Sequence, residues 1–318
     1  MLPAMPPRQP VLDPAAAYPR INALRTALDS GDWPECRSVL DAAEPVERTE
    51  LTMIAFGETG LETFLRGVLT GDPGDGAAGA LLGQHLIGAA WRIRTAARSE
   101  QVSRERLAAF TEGLEVAERL LVDAAARSPH DPAIWTARLI TARGLRLGRS
   151  EARRRYDRLA AIDPHHLPGQ WQFLQQLCPK SGGVWALAHT FAGETAAAAP
   201  PGSFDPVLVA EAHLEHWLEE HGRSAAAGRR YLSAGPVRDE LNEAADRSVR
   251  HPAFRRTHGW VRVTSTFAMA FALLDDRPAA AALFTALGDL GSDRPWDYLG
   301  DPGPTIVKYR KRAGGGGT

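Results

Sequence analysis

The sequence predicts an all-α protein, a run of helical hairpins stacked side by side as a solenoid. Three observations carry that expectation. Ala, Leu, Arg and Glu dominate the 318 residues, and these are the strongest helix formers. Short breaker clusters divide the chain at "DSGDWP", "GDPGDG", "SPHDP", "DPHHLPG", "CPKSGG", "APPGSFDP", "SAGP" and "GSDRPW". No sustained period-two run and no hairpin signal stands between them.

Residues 103–127 are the clearest helix. Leu107, Phe110, Leu114, Ala117, Leu121 and Ala124 recur at steps of three and four, which puts them on one apolar stripe. Arg104, Glu105, Glu112, Glu115 and Arg119 fall on other faces. A repeat follows. A small or apolar residue, a bulky one four positions on, another small or apolar one and a closing Pro recur as Ala117, Leu121, Ala124, Pro129. They recur again as Ala152, Tyr156, Leu159, Pro164 and as Ala188, Ala192, Thr195, Pro200. Trp135 and Trp171 are 36 residues apart. The small residue lets a paired helix approach, the bulky one fills the groove, and Pro ends the unit. A helix pair of about 34 residues is the tetratricopeptide period. The expected fold is therefore a tetratricopeptide-like α-solenoid, wound as a right-handed superhelix, with degenerate repeats: Gln175 stands where the first-helix signature has Gly. Residues 1–16 and the "RAGGGGT" tail are expected to be disordered. The helical-repeat domain is expected over 17–300, with a capping segment and a basic, Gly-rich tail over 301–318.

Composition narrows the function. A formal net charge of −1 argues against a protein devoted to a phosphate backbone. Cys36 and Cys178 form neither a disulfide framework nor a zinc motif, and the reading is a reducing cytoplasm. The start of the chain, with five prolines in fourteen residues, lacks the pattern of a signal peptide. No apolar run reaches the ~18 residues of a membrane span, so no membrane partner is expected.

"CPKSGG" invites a phosphate-loop reading. Such a loop needs GxxxxGK[ST] between a strand and a helix, and here a helix precedes Lys-Ser-Gly-Gly. Pro179 ends that helix, Gly182 and Gly183 allow a tight corner, and Val184, Leu187 and Phe191 are expected to face the core. Cys178 reads as a small core residue. A catalytic thiol needs a base, and His189 on the next helix is the candidate for it.

The same corner carries a more specific likeness. Pro179, Lys180, Gly182, Gly183, Phe191 and Ala192 match a Pro-Arg/Lys-Trp-Gly-Gly-Ser motif followed by a helix with Phe-Ala. "VAEAHLEHW" matches an Ala-His-x-Glu helix downstream. On these residues the chain, over about 90–300, resembles a bacterial helical-repeat family common in actinobacteria. Ser181 stands where that family has Trp, and Val184 where it has Ser. The resemblance implies a tetratricopeptide-like fold and no assigned chemistry.

Two further features bear on function. In "EAHLEHWLEEH", His213, His216 and Glu220 share one helix face, which offers three metal ligands, though neither as HExxH nor as a di-iron pattern. The stretch 138–158 holds Arg138, Arg143, Arg146, Arg149, Arg153, Arg154, Arg155 and Arg158, a basic strip able to meet carboxylates or phosphates. The function expected is non-catalytic binding of a protein or peptide in the concave groove of the repeats. Trp135, Arg138, Trp171, Gln175, His213 and His216 are the groove-lining candidates. No catalytic residue, metal or cofactor is assigned. The alternatives are a metal- or small-ligand-dependent enzyme on the His213/His216 helix, and an anion- or nucleic-acid-binding regulator on the Arg138–Arg158 strip.

Overall fold

The computed structural model describes residues 9–95 and 104–314. Among these, every regular element is helical, and the only extended pairing is one isolated bridge. Each of the eight breaker clusters lies at a helix end, a helix start or the turn between. The chain divides into two compact units, where the sequence suggests one repeat domain over 17–300. One unit is Arg20–Val184. The other joins the residues before Arg20 to those from Trp185 onward.

The first unit holds α1 (Arg20–Ser30), α2 (Trp33–Asp41), α3 (Pro45–Met53), α4 (Leu61–Gly71), α5 (Gly76–Thr95), α6 (Arg104–Arg127), α7 (Pro132–Gly144), α8 (Arg149–Ile162) and α9 (Leu167–Leu177). Two of the helix starts share one chemistry. Asp32 and Asp131 accept the first free amides of α2 and α7, and each helix has Pro in its opening turn. From α5 onward each helix packs on the next, and α5, α7 and α9 also pack on one another in turn. Helix α3 lies against all three of these, with Thr49, Leu51 and Thr52 buried.

The expected small-residue positions are core positions: Ala117 and Ala152 are fully buried, and Tyr156 stacks on Phe173 at 4.5 Å. The repeat has a hydrogen-bond counterpart. Trp135 Nε1 donates to the carbonyl of Pro129, and Gln170 Nε2 donates to that of Pro164, each across six residues. Gln170, not Trp171, is thus the structural equivalent of Trp135. On α6 the stripe holds at Phe110, Leu114, Ala117 and Leu121, while Leu107 at the helix start is exposed.

The corner after α9 behaves as a corner. Cys178 is buried, and its Sγ donates to the Leu174 carbonyl. Gly182 adopts φ +84°, and a Cβ on Gly183 would lie 1.8 Å from the Leu177 carbonyl oxygen. Val184 and Leu187 are exposed, contrary to the core face expected for them. The following helix starts at Trp185, and its frame turns Ala188, Phe191, Ala192 and Ala196 inward instead.

The second unit holds α10 (Trp185–Ala198), α11 (Val207–Arg223), α12 (Ala225–Ser233), α13 (Gly235–Arg247), α14 (Trp260–Leu273), α15 (Arg277–Leu287) and α16 (Pro302–Gly314). Helix α11 is its axis, packed on α10, α12, α13 and α14. The chain before Arg20 is ordered from residue 9, where disorder is expected from its prolines. Val11 N donates to the Asp289 carbonyl, Gly291 N donates to that of Val11, and Tyr18 stacks on His258 at 4.1 Å. Pairing with residues 289–291 supplies the partners that an isolated Pro-rich segment lacks. The helical part of the expected tail extends to Gly314. Residues 1–8 and 315–318 of the expected disordered ends lie outside the described residues.

Two glycine substitutions separate steric need from mere tolerance. Gly183→Ala should destabilise by about 3 kcal/mol, because its Cβ meets backbone that cannot yield. Gly67→Ala, at an open position of α4, should stabilise by about 0.5–1 kcal/mol. Urea unfolding of the two variants checks both signs.

Candidate functional site

Helices α10, α11, α12 and α13 bring together the densest group of ionisable and aromatic side chains in the second unit. His189 comes from α10, His213 and His216 from α11, Tyr231 from α12 and Glu240 from α13. The two α11 histidines share a face because they are three residues apart. Trp185, one turn before His189, stacks flat on the His216 ring with centroids 4.4 Å apart, and its Nε1 donates to Glu219 at 3.1 Å.

The hydrogen bonds form one chain. Glu240 Oε2 lies 2.9 Å from His213 Nε2. A carboxylate only accepts, so Nε2 carries the proton and Nδ1 is free to accept from the Tyr231 hydroxyl at 2.7 Å. The Tyr231 oxygen is 3.3 Å from His189 Nε2, which also lies 3.0 Å from His216 Nδ1. A carboxylate, an imidazole, a phenol and two further imidazoles are thereby connected without a gap.

Burial sets the electrostatics. His213 is 3% exposed. Desolvation, with the nearby His216 charge opposing a second cation, lowers its pKa to about 4. His189 is lowered to about 4 by desolvation and by His213 and His216, against a raising effect of Glu240. Glu240 is 56% exposed, so water screens the charge it offers and burial prevails. His216 is lowered by desolvation, although Glu220 and Glu219 pull the other way. Burial also raises the Tyr231 pKa, which keeps the phenol protonated. At neutral pH the three rings are therefore uncharged.

A cleft of about 270 Å³ opens at this group. His189 and Glu240 stand on its edge, and Ala192, Gly193, Ala196 and Ala244 form much of its wall. His189, His213 and Glu240 each offer a ligand atom within 4.8 Å of the others.

The sequence-derived residues fare unevenly. His213 and His216 are part of this group. Glu220 is not, since it accepts from Arg223 beside it, and Glu240 supplies the carboxylate. His189 enters as a partner of the other histidines. Tyr231 and Glu240, in "GRRYLS" and "VRDELNE", belong to no motif or spacing pattern of the sequence. In the first unit, Trp135 is half-buried with the Arg138 guanidinium 5.0 Å above its ring, and Gln175 is half-buried on α9. Trp171 is 3% exposed and is a core side chain, not a groove surface.

Four of the eight arginines of the strip are engaged in ion pairs. Arg138 and Arg155 both bond Glu118, Arg155 and Arg154 bond Glu151, and Arg153 bonds Asp157. Arg155 is buried within that network, which fits a structural role better than an open anion site.

No protein-family model matches the chain, and no curated protein matches it at a significant level. Among the described residues, no helix is long and apolar enough to cross a membrane.

Two measurements follow from this electrostatic picture. His189 and His213 titrate near 4 when folded and about 6.5 when unfolded, so the unfolded chain takes up protons first as pH falls. Their contribution to stability is whole above about pH 6.5 and is lost as pH falls towards 4. Chemical denaturation across that range should show the decline, and His189→Gln should decline less steeply than the wild type. An identical slope would contradict the burial argument. Separately, burial raises the Cys36 thiol to about 11, and Cys178 is enclosed. A thiol-specific disulfide reagent should label neither in the native protein and both after denaturation.

Proposed function

We propose that the protein is a non-catalytic binding protein whose ligand, a small molecule or ion, is taken at the α10–α13 cleft. The observation that carries this is the convergence of three uncharged imidazoles, a phenol and a carboxylate at the edge of a cleft walled by small apolar residues together with Glu243 and Arg247. A mostly apolar hollow with a few convergent polar groups is the usual form of a small-ligand site.

Binding of a peptide by tetratricopeptide-like hairpins is the second reading. The matched bonds of Trp135 and Gln170 to the repeat-closing prolines favour such hairpins over α6–α9. The likeness to the actinobacterial helical-repeat family and the right-handed superhelix belong to this reading too. We place the ligand at α10–α13 instead because α3 already lies against α5, α7 and α9, the helices whose inner face a peptide would need.

Gly193 tests the proposal without disturbing packing, since nothing lies within 4 Å of a Cβ built there. A thermal-shift screen of imidazole-, carboxylate- and amine-bearing small molecules should find a class that raises Tm by about 2 °C or more. Gly193→Leu, which narrows the cleft, should abolish that shift. If no class stabilises the wild type more than the variant, the proposal fails.

A further inference from the structure

We propose that His189, His213 and Glu240 form a binding site for a divalent transition-metal ion, with Tyr231 as the positioning residue for the His213 ring. This rests on the reading of the α10–α13 group as the binding locus and names its ligand.

Three helices supply the three ligands, so the site is a product of the fold and not of one helix face. Their ligand atoms lie within 4.8 Å of one another, a spread that a single ion can bridge with small side-chain adjustments. One of the ligands, His213, is held from behind. His213 places one ring nitrogen 2.9 Å from Glu240 and the other 2.7 Å from the Tyr231 hydroxyl. Metal-bound histidines characteristically use the second ring nitrogen in this way, which fixes tautomer and orientation.

The change on loading is modest and balances without loss of a proton. When an ion takes Nε2 of His213, the ring proton moves to Nδ1, and Nδ1–H then donates to the Tyr231 oxygen, whose own hydroxyl hydrogen rotates away from the ring. Glu240 exchanges its bond to Nε2–H for a bond to the ion. Its position at the rim, 56% exposed, lets it do so without dragging the backbone.

Ligand chemistry selects the class of ion. Two imidazoles and one carboxylate suit Zn²⁺, Co²⁺ or Ni²⁺. The group contains no sulfur ligand for Cu⁺, and too few oxygens for Ca²⁺. One negative ligand leaves a divalent ion with residual positive charge. Because His189 and Glu240 line the cleft, the unfilled coordination position faces it.

The test uses the untagged full chain, stripped with EDTA and titrated with Zn²⁺ or Co²⁺ alone by calorimetry. One ion per chain is expected, and Co²⁺ should develop visible bands of a four- or five-coordinate site. Glu240→Gln, at an exposed position that does not threaten folding, should weaken binding at least tenfold. Glu243→Gln, in the same cleft but outside the ligand set, should leave it unchanged. Tyr231→Phe should weaken it about tenfold through loss of the Nδ1–H acceptor. A wild-type Kd weaker than about 100 μM, or equal binding by wild type and Glu240→Gln, overturns the metal site. If a small molecule still stabilises the wild type and not Gly193→Leu, the cleft reading survives that failure. If neither metal nor small molecule binds, both fall.

Discussion

Helix α11 is buried along most of its length and takes three ionisable side chains inside with it, and its neighbours must satisfy them. Glu211, Glu215 and His213 are each 2–3% exposed. A buried charge or donor without a partner costs several kcal/mol, so the surrounding elements are constrained by chemistry as well as by shape. Tyr298 donates to Glu215 at 2.6 Å, and Arg262 lies 3.8 Å from Glu211. His213 draws on α12 and α13 through Tyr231 and Glu240. The candidate site is thus one of several answers to the same demand. It differs in standing beside a cleft and in collecting further imidazoles.

The first unit meets a similar demand in a different way. Glu118 on α6 accepts from Arg138 and Thr141 on α7 and from Arg155 on α8, which ties three consecutive helices through one carboxylate. Removing one member would strand the others in a dry interior, whereas apolar replacement of the whole set would cost far less. Such a network specifies which helices meet. The α11 group, by contrast, ends in an exposed carboxylate, Glu240, at the edge of a cleft.

Local features of this fold were legible before any coordinates. The breaks at "DSGDWP" and "SPHDP", the closing prolines and the two-glycine corner depend on neighbours in sequence, and a single chain displays those directly. Ala117 and Ala152 were readable as close-contact positions because their spacing repeats. The inward frame of α10 was not, since Val184 lies just before the helix and Leu187 falls on its outer face. The site was half legible. His213 and His216 announce themselves at i, i+3, but Glu240 and Tyr231 reach them only through the angles at which α12 and α13 cross α11. Periodicity reports which face of a helix is apolar. It carries no information on which distant helix will meet that face. Trp171 illustrates the same limit: a 36-residue spacing suggested equivalence to Trp135, and hydrogen bonding assigns that place to Gln170, one residue earlier.

The pairing of Val11 with residues 289–291 makes the second unit discontinuous in sequence, with Arg20–Val184 inserted between its two parts. During synthesis the segment that closes this unit leaves the ribosome before the inserted unit, and its docking surface leaves after it. The inserted unit has all its own residues available long before then, so it can fold while the chain is still growing. The imidazole-bearing unit cannot be completed until α15 has emerged. Its closure therefore carries the entropy of a loop of some 280 residues, unless the inserted unit has already shortened that loop by folding.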